Sequence, residues 1–221
     1  DLHPRVRRQR QMCIRDSYVT LESKGFIAPG VLETLGKYKS ILSGHPTIEV
    51  PGIEVNTGAL GHGLSIGVGM SIAAKMDKKD YKTYVLMGDG EQGEGSIYEA
   101  AMAASHYKLD NLVAIIDRNH LQISGNTENV MSLDSIRDRW TAFGWDVKEM
   151  NGDEIEDIVA TFNGIDYSNN RPHLLISNTT KGKGVSYMEN VAKWHHGVPS
   201  AEQYETAIKE ISERIAQLEN N

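Results

Sequence analysis

Four short runs of β-branched and apolar residues lie in the middle and second half of the chain, and each predicts a buried strand. These runs are Thr83 to Gly88, Leu112 to Asp117, Trp145 to Met150 and His173 to Asn178. Helical spacing of apolar positions separates them, over Ser96 to His106, Leu133 to Phe143 and Glu154 to Phe162. Alternating strands and helices favour parallel pairing with helices on both faces. The pattern therefore predicts an α/β fold with a mainly parallel sheet.

The flanking regions predict further helices and one long loop. From Tyr18 to Leu42, apolar residues broken by Gly25 and Pro29 indicate short helices joined by a turn. A glycine-rich loop then precedes Leu64 to Lys75, whose small apolar residues indicate a buried helix. The segment Ser200 to Leu218 carries isoleucines on one face and begins with a capping serine, so it predicts an amphipathic helix.

The first seventeen residues differ from the rest because they crowd five arginines into an otherwise acidic chain without any strand or helix periodicity. One interpretation is a disordered basic arm. The other is that Val6 to Ser17, which resembles translated sequencing-adapter read-through, is not native protein. We favour the second interpretation, and we expect residues 18–221 to form one domain that is truncated at its amino end.

The composition narrows the functional classes. A net charge of -7 argues against general affinity for nucleic acid or anionic lipid, because such binding depends on Lys and Arg meeting phosphates. The single cysteine, Cys13, cannot form an internal disulfide, which favours a reducing compartment. We see neither a membrane-length apolar run nor a signal peptide. The expectation is a soluble, cytoplasmic protein.

Two polar clusters follow neighbouring predicted strands. Gly88-Asp89-Gly90 ends the first strand and Asp117-Arg118-Asn119 ends the second. Ligands of open α/β sheets bind outside the carboxyl ends of the strands, and a hard divalent cation prefers oxygen ligands. Asp89, Asn119 and a backbone carbonyl near Leu121 can supply such oxygens. Either cluster taken alone is more simply explained as an ordinary turn after a strand.

The two clusters together resemble the thiamine diphosphate signature, in which Gly-Asp-Gly is followed after 28 intervening residues by Asn119. Further segments occur in the order found in transketolases: Gly44-His45-Pro46, Pro51-Gly52-Ile53-Glu54, Thr57 to Gly63, Gly88 to Gly95 and Thr180 to Gly184. The resemblance covers most of Tyr18 to Gly197. It is closest to the amino-terminal subunit of split transketolases, so it implies the diphosphate-domain fold and transfer of a two-carbon ketol unit between sugar phosphates.

The resemblance also implies roles for individual positions. It implies Asp89, Asn119 and the backbone carbonyl of Leu121 as ligands of Mg²⁺, or of Ca²⁺ or Mn²⁺. It implies thiamine diphosphate contacts from Gly58, Leu60, Gly90, Glu94, Ile123 and His196. Two catalytic histidines are implied, His45 near the donor sugar and His196 at the reacting centre, and Glu99 is implied to lie toward a partner subunit. Without the family pattern, the simpler explanation of Leu60 and Ile123 is that they belong to the core. The simpler explanation of the two histidines is that they are ordinary surface or core residues.

A partner subunit is implied by what the resemblance does not cover. In the family, a glutamate of the pyrimidine-binding domain activates the cofactor, and we expect this chain to stop before that domain. The prediction is a hetero-oligomer with a dimeric core, in which a separate carboxy-terminal chain completes the site and the isolated chain is inactive.

Transketolases also carry a Ser-Lys-Gly-His segment near their amino terminus. Ser23-Lys24-Gly25-Phe26 looks similar, but it aligns better with the stretch that follows this segment in transketolases. We therefore assign Lys24 and Phe26 no catalytic role.

Two rival interpretations remain at the level of sequence. Deoxyxylulose-phosphate synthases and the α chains of 2-oxo acid dehydrogenases share the metal signature, but Gly93-Glu94-Gly95 and the segment Trp194 to Gly197 favour transketolase. A binding or scaffold subunit that keeps the fold without chemistry is the rival from another class. Turnover in the presence of a carboxy-terminal subunit distinguishes these possibilities. The sequence does not specify the sugar phosphates.

Overall fold

The fold is built on a parallel β-sheet, and the computed structural model describes residues 5–8, 14–133, 135–195 and 197–219. In chain order the strands within these ranges are β1 (Arg5–Arg8), β2 (Thr83–Gly88), β3 (Leu112–Arg118), β4 (Leu121–Gln122), β5 (Gly125–Asn126), β6 (Asp146–Asn151) and β7 (His173–Asn178). Five of them form one sheet in the order β1-β2-β3-β7-β6, with every neighbouring pair parallel. β4 and β5 form a separate antiparallel hairpin. The predicted mainly parallel α/β fold is confirmed.

Helices lie between the strands and after them, as the periodicity predicts. They are α1 (Ile14–Ser23), α2 (His62–Met76), α3 (Gly95–His106), α4 (Thr127–Val130), α5 (Ile136–Ala142), α6 (Ile155–Asn163) and α7 (Ala201–Glu219). Short 3-10 turns occupy Val31–Thr34, Gly90–Gly93 and Ala192–His195. A search of the described residues finds no helix with the length and apolar character that crossing a bilayer requires.

The two faces of the sheet are covered by different helices. Along β3, Ala114 and Ile116 belong to the cluster that includes residues of α2, α3 and α5. Val113, one position away, belongs to the cluster on the other face, where α6 contributes Ile158 and Phe162. This alternation follows from the two-residue period of a strand. Burial on both sides explains why the sequences of the central strands β2, β3 and β7 are largely apolar, whereas the edge strand β6 is more polar.

Helix α2 packs closely on the sheet through glycine. A Cβ built on Gly67 would lie 2.5 Å from Cγ2 of Val85 on β2, so only a glycine permits this approach. The prediction that the small-residue helix is buried is therefore correct for one of its faces. The opposite face is exposed at Ser65, Gly69 and Ala73.

Residues near the start of the chain form a smaller core of their own. Tyr18, Ile27, Leu42 and Val50 are buried against one another. The Tyr18 hydroxyl donates a hydrogen bond to the Ser43 carbonyl at 3.0 Å, which ties α1 to the loop that follows. This smaller core also holds the first part of the glycine-rich loop, through Val50 and Ile53.

The structure differs from the sequence-based expectation within the first seventeen residues. The backbone of Arg5–Arg8 forms β1 at the edge of the sheet, and α1 begins at Ile14, ahead of the expected start near Tyr18. Strand pairing uses backbone groups, so an edge strand does not require an apolar alternation. Whether this segment is native remains a prediction.

Candidate functional site

Polar residues gather at the carboxyl edge of the sheet. Asp89 directly follows β2 and Asn119 directly follows β3, and the pairing of Gly88 with Asp117 places both at the same edge. Asp153 follows β6 and Thr180 follows β7 at this edge, where the Thr180 N–H donates to the Asp153 carboxylate at 3.1 Å. The register of the parallel strands thus brings together loops that are far apart in sequence.

Asp89 is a buried carboxylate, with only 2% of its surface exposed. Its Oδ1 accepts a hydrogen bond from the Gly90 N–H at 2.7 Å, and its Oδ2 accepts one from the His120 N–H at 2.7 Å. Backbone donors of this kind favour the charged form of a carboxylate. Each carboxylate oxygen can still face a cation because it offers two lone pairs.

Asn119 organises the turn that carries the other predicted ligand. Its Oδ1 accepts a hydrogen bond from the Leu121 N–H at 3.1 Å, which closes an Asx turn. Between them, His120 adopts a left-handed backbone conformation with φ of 60°. This unusual conformation accompanies the bond from the His120 N–H to Asp89, so the turn after β3 is fastened to the loop after β2.

Glu91 joins the end of β2 to the loop before α2, a role that the sequence alone does not predict. It is 4% exposed, its Oε1 accepts from the Gly61 N–H at 2.7 Å, and its Oε2 accepts from the Gly88 N–H at 3.1 Å. Ser96 adds a second link by donating to the Gly61 carbonyl at 2.9 Å. In the sequence, Glu91 is simply an acidic residue inside a glycine-rich motif. That pattern does not reveal that its partner, Gly61, lies thirty residues earlier.

His45 and Gly58 lie against each other, although thirteen positions separate them. A Cβ on Gly58 would be 3.4 Å from Cγ of the His45 imidazole, so the ring covers the glycine. The loops are held together because the Thr57 N–H donates to the Pro46 carbonyl at 3.1 Å. The His45 side chain itself is exposed. The loop that contains Gly58 continues to Gly61, which Glu91 binds.

The remaining predicted cofactor residues lie at or near this edge. Leu60 is exposed at the end of the loop before α2, and Ile123 is 61% exposed in the turn of the β4–β5 hairpin. Gly90 lies against the same hairpin, because a Cβ there would be 3.0 Å from Cβ of Gln122. Glu94 is exposed at the N-cap of α3, with its Cβ next to Gly61.

The histidine predicted to reach the reacting centre, His196, lies outside the described residues. Immediately before it, the 3-10 turn Ala192–His195 contacts strand β4 of the hairpin. Trp194 in this turn is fixed by its Nε1–H, which donates to the Tyr187 carbonyl at 2.9 Å. Glu99, predicted to lie toward a partner, is exposed on α3.

Arg118, another residue to which the sequence alone gives no role, links Asp89 to α4, the short helix that follows the hairpin. Its Nη1 donates to Thr127 Oγ1 at 2.8 Å and lies 3.5 Å from Asp89 Oδ2. Its Nη2 forms an ion pair with Glu128 Oε1 at 2.6 Å. Hydrogen bonds from Ser132 and then from Arg118 hold the pKa of Glu128 below its ordinary value.

The donor set suits a hard cation that shares its coordination with phosphate oxygens. Asp89 and Asn119 offer a carboxylate and an amide oxygen at one edge of the sheet, and Mg²⁺ is commonly bound by one or two protein carboxylates together with phosphates and water. The described residues contain no group of three or more His, Cys, Asp or Glu that could hold a metal. A metal that takes most of its ligands from a diphosphate does not require such a group.

Comparisons with known proteins agree with this geometry. The family described as "Transketolase, thiamine diphosphate binding domain" matches residues 18–214. A protein of Phocaeicola vulgatus, named as a subunit of apulose-4-phosphate transketolase, is 79% identical over 207 residues, which are 94% of this chain and 74% of that protein. A protein of the same name from Actinobacillus succinogenes is 46% identical, over 89% of this chain and 71% of that protein.

The solved structures that resemble the chain are also transketolases. The transketolase of Campylobacter jejuni superposes with a TM-score of 0.77 at 33% identity, over 82% of this chain and 30% of that chain. The transketolase of Leishmania mexicana gives a TM-score of 0.74 at 24% identity, over 92% of this chain and 36% of that chain, and supports the fold alone. The chain therefore spans about a third of the length of these solved proteins.

Proposed function

We propose that this chain, which belongs to the transketolase family, is the diphosphate-binding subunit of a transketolase made of two kinds of chain. The proposed reaction is the transfer of a two-carbon ketol unit between sugar phosphates. The observation that carries the proposal is the pair of loops after β2 and β3, which place Asp89 and Asn119 at one edge and are joined by the bond from the His120 N–H to Asp89. Two relatives named as transketolase subunits support it.

Asp89, Asn119 and the Leu121 carbonyl would hold the divalent metal, with Mg²⁺ as the first candidate and Ca²⁺ or Mn²⁺ as alternatives. Thiamine diphosphate supplies a carbanion that accepts the ketol unit. The metal would neutralise diphosphate charge. Gly90 has no side chain, so the backbone N–H groups of this loop would stay accessible near the metal site. The missing side chain also leaves room for the hairpin residue Gln122.

The protein's own contribution is orientation and exclusion of water. Leu60 and Ile123 present exposed apolar side chains near the site, which suits contact with the rings of the cofactor. His45, held against Gly58, would hydrogen-bond the donor sugar, and His196 would move a proton at the reacting centre. Glu94 would support the diphosphate side of the site. These roles are proposed for positions that match the family pattern.

For the substrate, we propose apulose 4-phosphate. The support is the printed name of two relatives, one of them 79% identical. A third relative, from a Clostridium strain, is named for 6-deoxy-6-sulfo-D-fructose and is only 36% identical. The higher identity therefore favours a sugar phosphate over a sulfosugar. We also propose a cytoplasmic location, because residues 18–221 contain no cysteine that could form a disulfide, which fits a reducing compartment.

Exposed apolar surface supports assembly with a carboxy-terminal subunit that carries the pyrimidine-binding domain. Five apolar side chains of α7 are 41–69% exposed and recur at intervals of four and three residues: Tyr204, Ile208, Ile211, Ile215 and Leu218. The outer face of α2 offers small residues, and a Cβ on Gly69 would meet nothing within 4 Å. Contiguous exposed apolar surfaces typically mark interaction sites. We propose a hetero-oligomer with a dimeric core.

Turnover with and without the partner tests the proposal. The chain is mixed with a carboxy-terminal transketolase subunit, thiamine diphosphate, Mg²⁺ and apulose 4-phosphate with an aldose phosphate acceptor. Ketol transfer is expected in the mixture and not with either chain alone. Full activity of the isolated chain would contradict the two-chain proposal, and a folded, assembled but inactive mixture would favour a scaffold role.

A variant of the open face of α2 tests assembly separately from folding. Gly69→Arg adds a large side chain where the chain itself leaves space, so the fold should be retained while association is lost if this face is an interface. Light scattering and urea unfolding measure the two properties. Unchanged association of Gly69→Arg would exclude the α2 face from the interface.

A further inference from the structure

The guanidinium of Arg118 makes only a long hydrogen bond and ion pair with Asp89. Its Nη1 is 3.5 Å from Asp89 Oδ2, whereas the same nitrogen is 2.8 Å from Thr127 Oγ1. The Arg118 side chain is only 11% exposed and the Asp89 side chain only 2%. A cation and an anion with so little solvent between them attract strongly, because the effective dielectric constant of such a site is low. The shorter contacts of the guanidinium with other partners indicate what keeps it at this distance.

Glu128 provides the opposing attraction. Its Oε1 pairs with Arg118 Nη2 at 2.6 Å, the shortest contact that the guanidinium makes among the described residues. Glu128 is itself fixed, because its Oε2 accepts hydrogen bonds from Ser132 Oγ at 2.7 Å and from the Leu133 N–H at 3.2 Å. The Asn126 side chain caps the start of α4 by accepting from the Glu128 N–H at 2.9 Å. The carboxylate that holds Arg118 is thus well anchored.

We propose that Glu128 is a positioning residue that holds Arg118 back from Asp89 and thereby sets the affinity of the site for a divalent cation. A divalent cation and a guanidinium would compete for the same carboxylate of Asp89. With Glu128 present, the guanidinium charge is shared with a second carboxylate and its separation from Asp89 is maintained. Without it, Arg118 is expected to close on Asp89 and compete with the metal. The inference rests on the proposed function, because it takes Asp89 as a metal ligand.

Glu128→Gln tests the inference, since the amide keeps the shape and loses the charge. Titration calorimetry measures Mg²⁺ binding to the full chain at fixed thiamine diphosphate. The Mg²⁺ affinity of Glu128→Gln is expected to fall by about tenfold, at the low end of the effect of outer-sphere partners on metal sites. The matched control is Glu149→Gln, which removes another exposed carboxylate paired with an arginine at 2.6 Å, Arg137, on the edge strand β6. The control should bind Mg²⁺ like the wild type.

A double variant separates competition from simple support of the hairpin. In Glu128→Gln with Arg118→Met, the competitor is gone, so Mg²⁺ affinity should return to within about threefold of the wild type. If Glu128 only supports the local structure, the double variant should bind as weakly as the single variant or more weakly. Urea unfolding of each variant without metal shows whether the fold is retained.

The outcomes separate the inference from the function on which it rests. Unchanged Mg²⁺ affinity in Glu128→Gln, or weak binding by a folded double variant, would overturn the inference. Failure of the proposed metal site would appear differently, as Mg²⁺ binding that is absent in the wild type or unaffected by Asp89→Ala. If the double variant does not fold, Glu128→Gln with Arg118→Lys replaces it. Because a lysine retains the charge, competition then predicts that this folded variant stays weak, and recovery of its Mg²⁺ affinity to the wild-type value would overturn the inference.

Discussion

Replacing Glu91 with alanine removes a buried carboxylate that connects two loops of the site. The Gly61 and Gly88 N–H groups then lose acceptors at 2.7 and 3.1 Å. Hydrogen bonds to a charged group contribute about 1.5–3 kcal/mol each, so the two together suggest a loss of about 3–6 kcal/mol in the free energy of unfolding. Since small domains are stable by only about 5–15 kcal/mol, such a loss is large.

The position of Gly61 adds to this expectation. Gly61 is the N-cap of α2 and has no side chain to cap the helix, so the Glu91 carboxylate satisfies its N–H and also places negative charge at the helix start. Loss of Glu91 should therefore loosen the loop from Gly58 to Gly61 as well as destabilise the fold. Thiamine diphosphate affinity should fall together with stability.

Urea unfolding followed by circular dichroism measures the effect. Glu91→Gln should lie between the wild type and Glu91→Ala, because the amide oxygen still accepts one hydrogen bond. Glu99→Ala is the matched control, since it removes an exposed glutamate from α3 and should change stability by less than about 0.5 kcal/mol. A folded Glu91→Ala that unfolds within about 0.5 kcal/mol of the wild type would refute the reasoning.

Further expectations concern α2 and a buried histidine. Gly69→Ala should raise the free energy of unfolding by roughly 0.5–1 kcal/mol through helix propensity, whereas Gly67→Ala, whose Cβ would lie 2.5 Å from Val85, should lower it by about 1–2 kcal/mol in the same urea assay. Burial lowers the pKa of His173, and its hydrogen bond with Asp146 opposes this only in part. The unfolded chain therefore binds the proton first, so stability should be complete above a pH of about 6.5 and fall below it by at most about 1.4 kcal/mol per pH unit. The difference between the free energies of unfolding at pH 7.5 and at pH 5.5 should be smaller for His173→Gln than for the wild type. An equal difference in the two proteins would contradict this.

The centre of the sheet could be predicted because β2, β3 and β7 are largely buried on both faces. Thr83–Gly88 and His173–Asn178 have the predicted bounds, since a nearly continuous apolar run between polar turns has few alternatives. The position of Asp89 and Asn119 at one edge then followed from parallel pairing alone. Their chemical roles came from the family pattern, because an Asp or Asn after a strand is commonly just a turn residue.

Other parts of the site could not be predicted because their partners are distant in sequence or their elements are short. The hairpin Leu121 to Asn126 has strands of two residues each, too short for any periodicity. Glu91 binds a glycine thirty positions earlier, and Arg118 binds side chains of a helix of only four residues. Local propensity carries no information on such contacts. The strand Arg5–Arg8 pairs through its backbone and has no apolar alternation to reveal it.

The central claim is that Asp89 holds a divalent cation that binds the diphosphate of thiamine diphosphate. Calorimetric titration of thiamine diphosphate into the wild type and Asp89→Ala, each with and without Mg²⁺, tests it directly. The account predicts Mg²⁺-dependent binding by the wild type and no Mg²⁺-dependent binding by the variant, whose fold is checked by circular dichroism, because the diphosphate then loses its cationic bridge. A folded Asp89→Ala with unchanged affinity and unchanged Mg²⁺ dependence would contradict it.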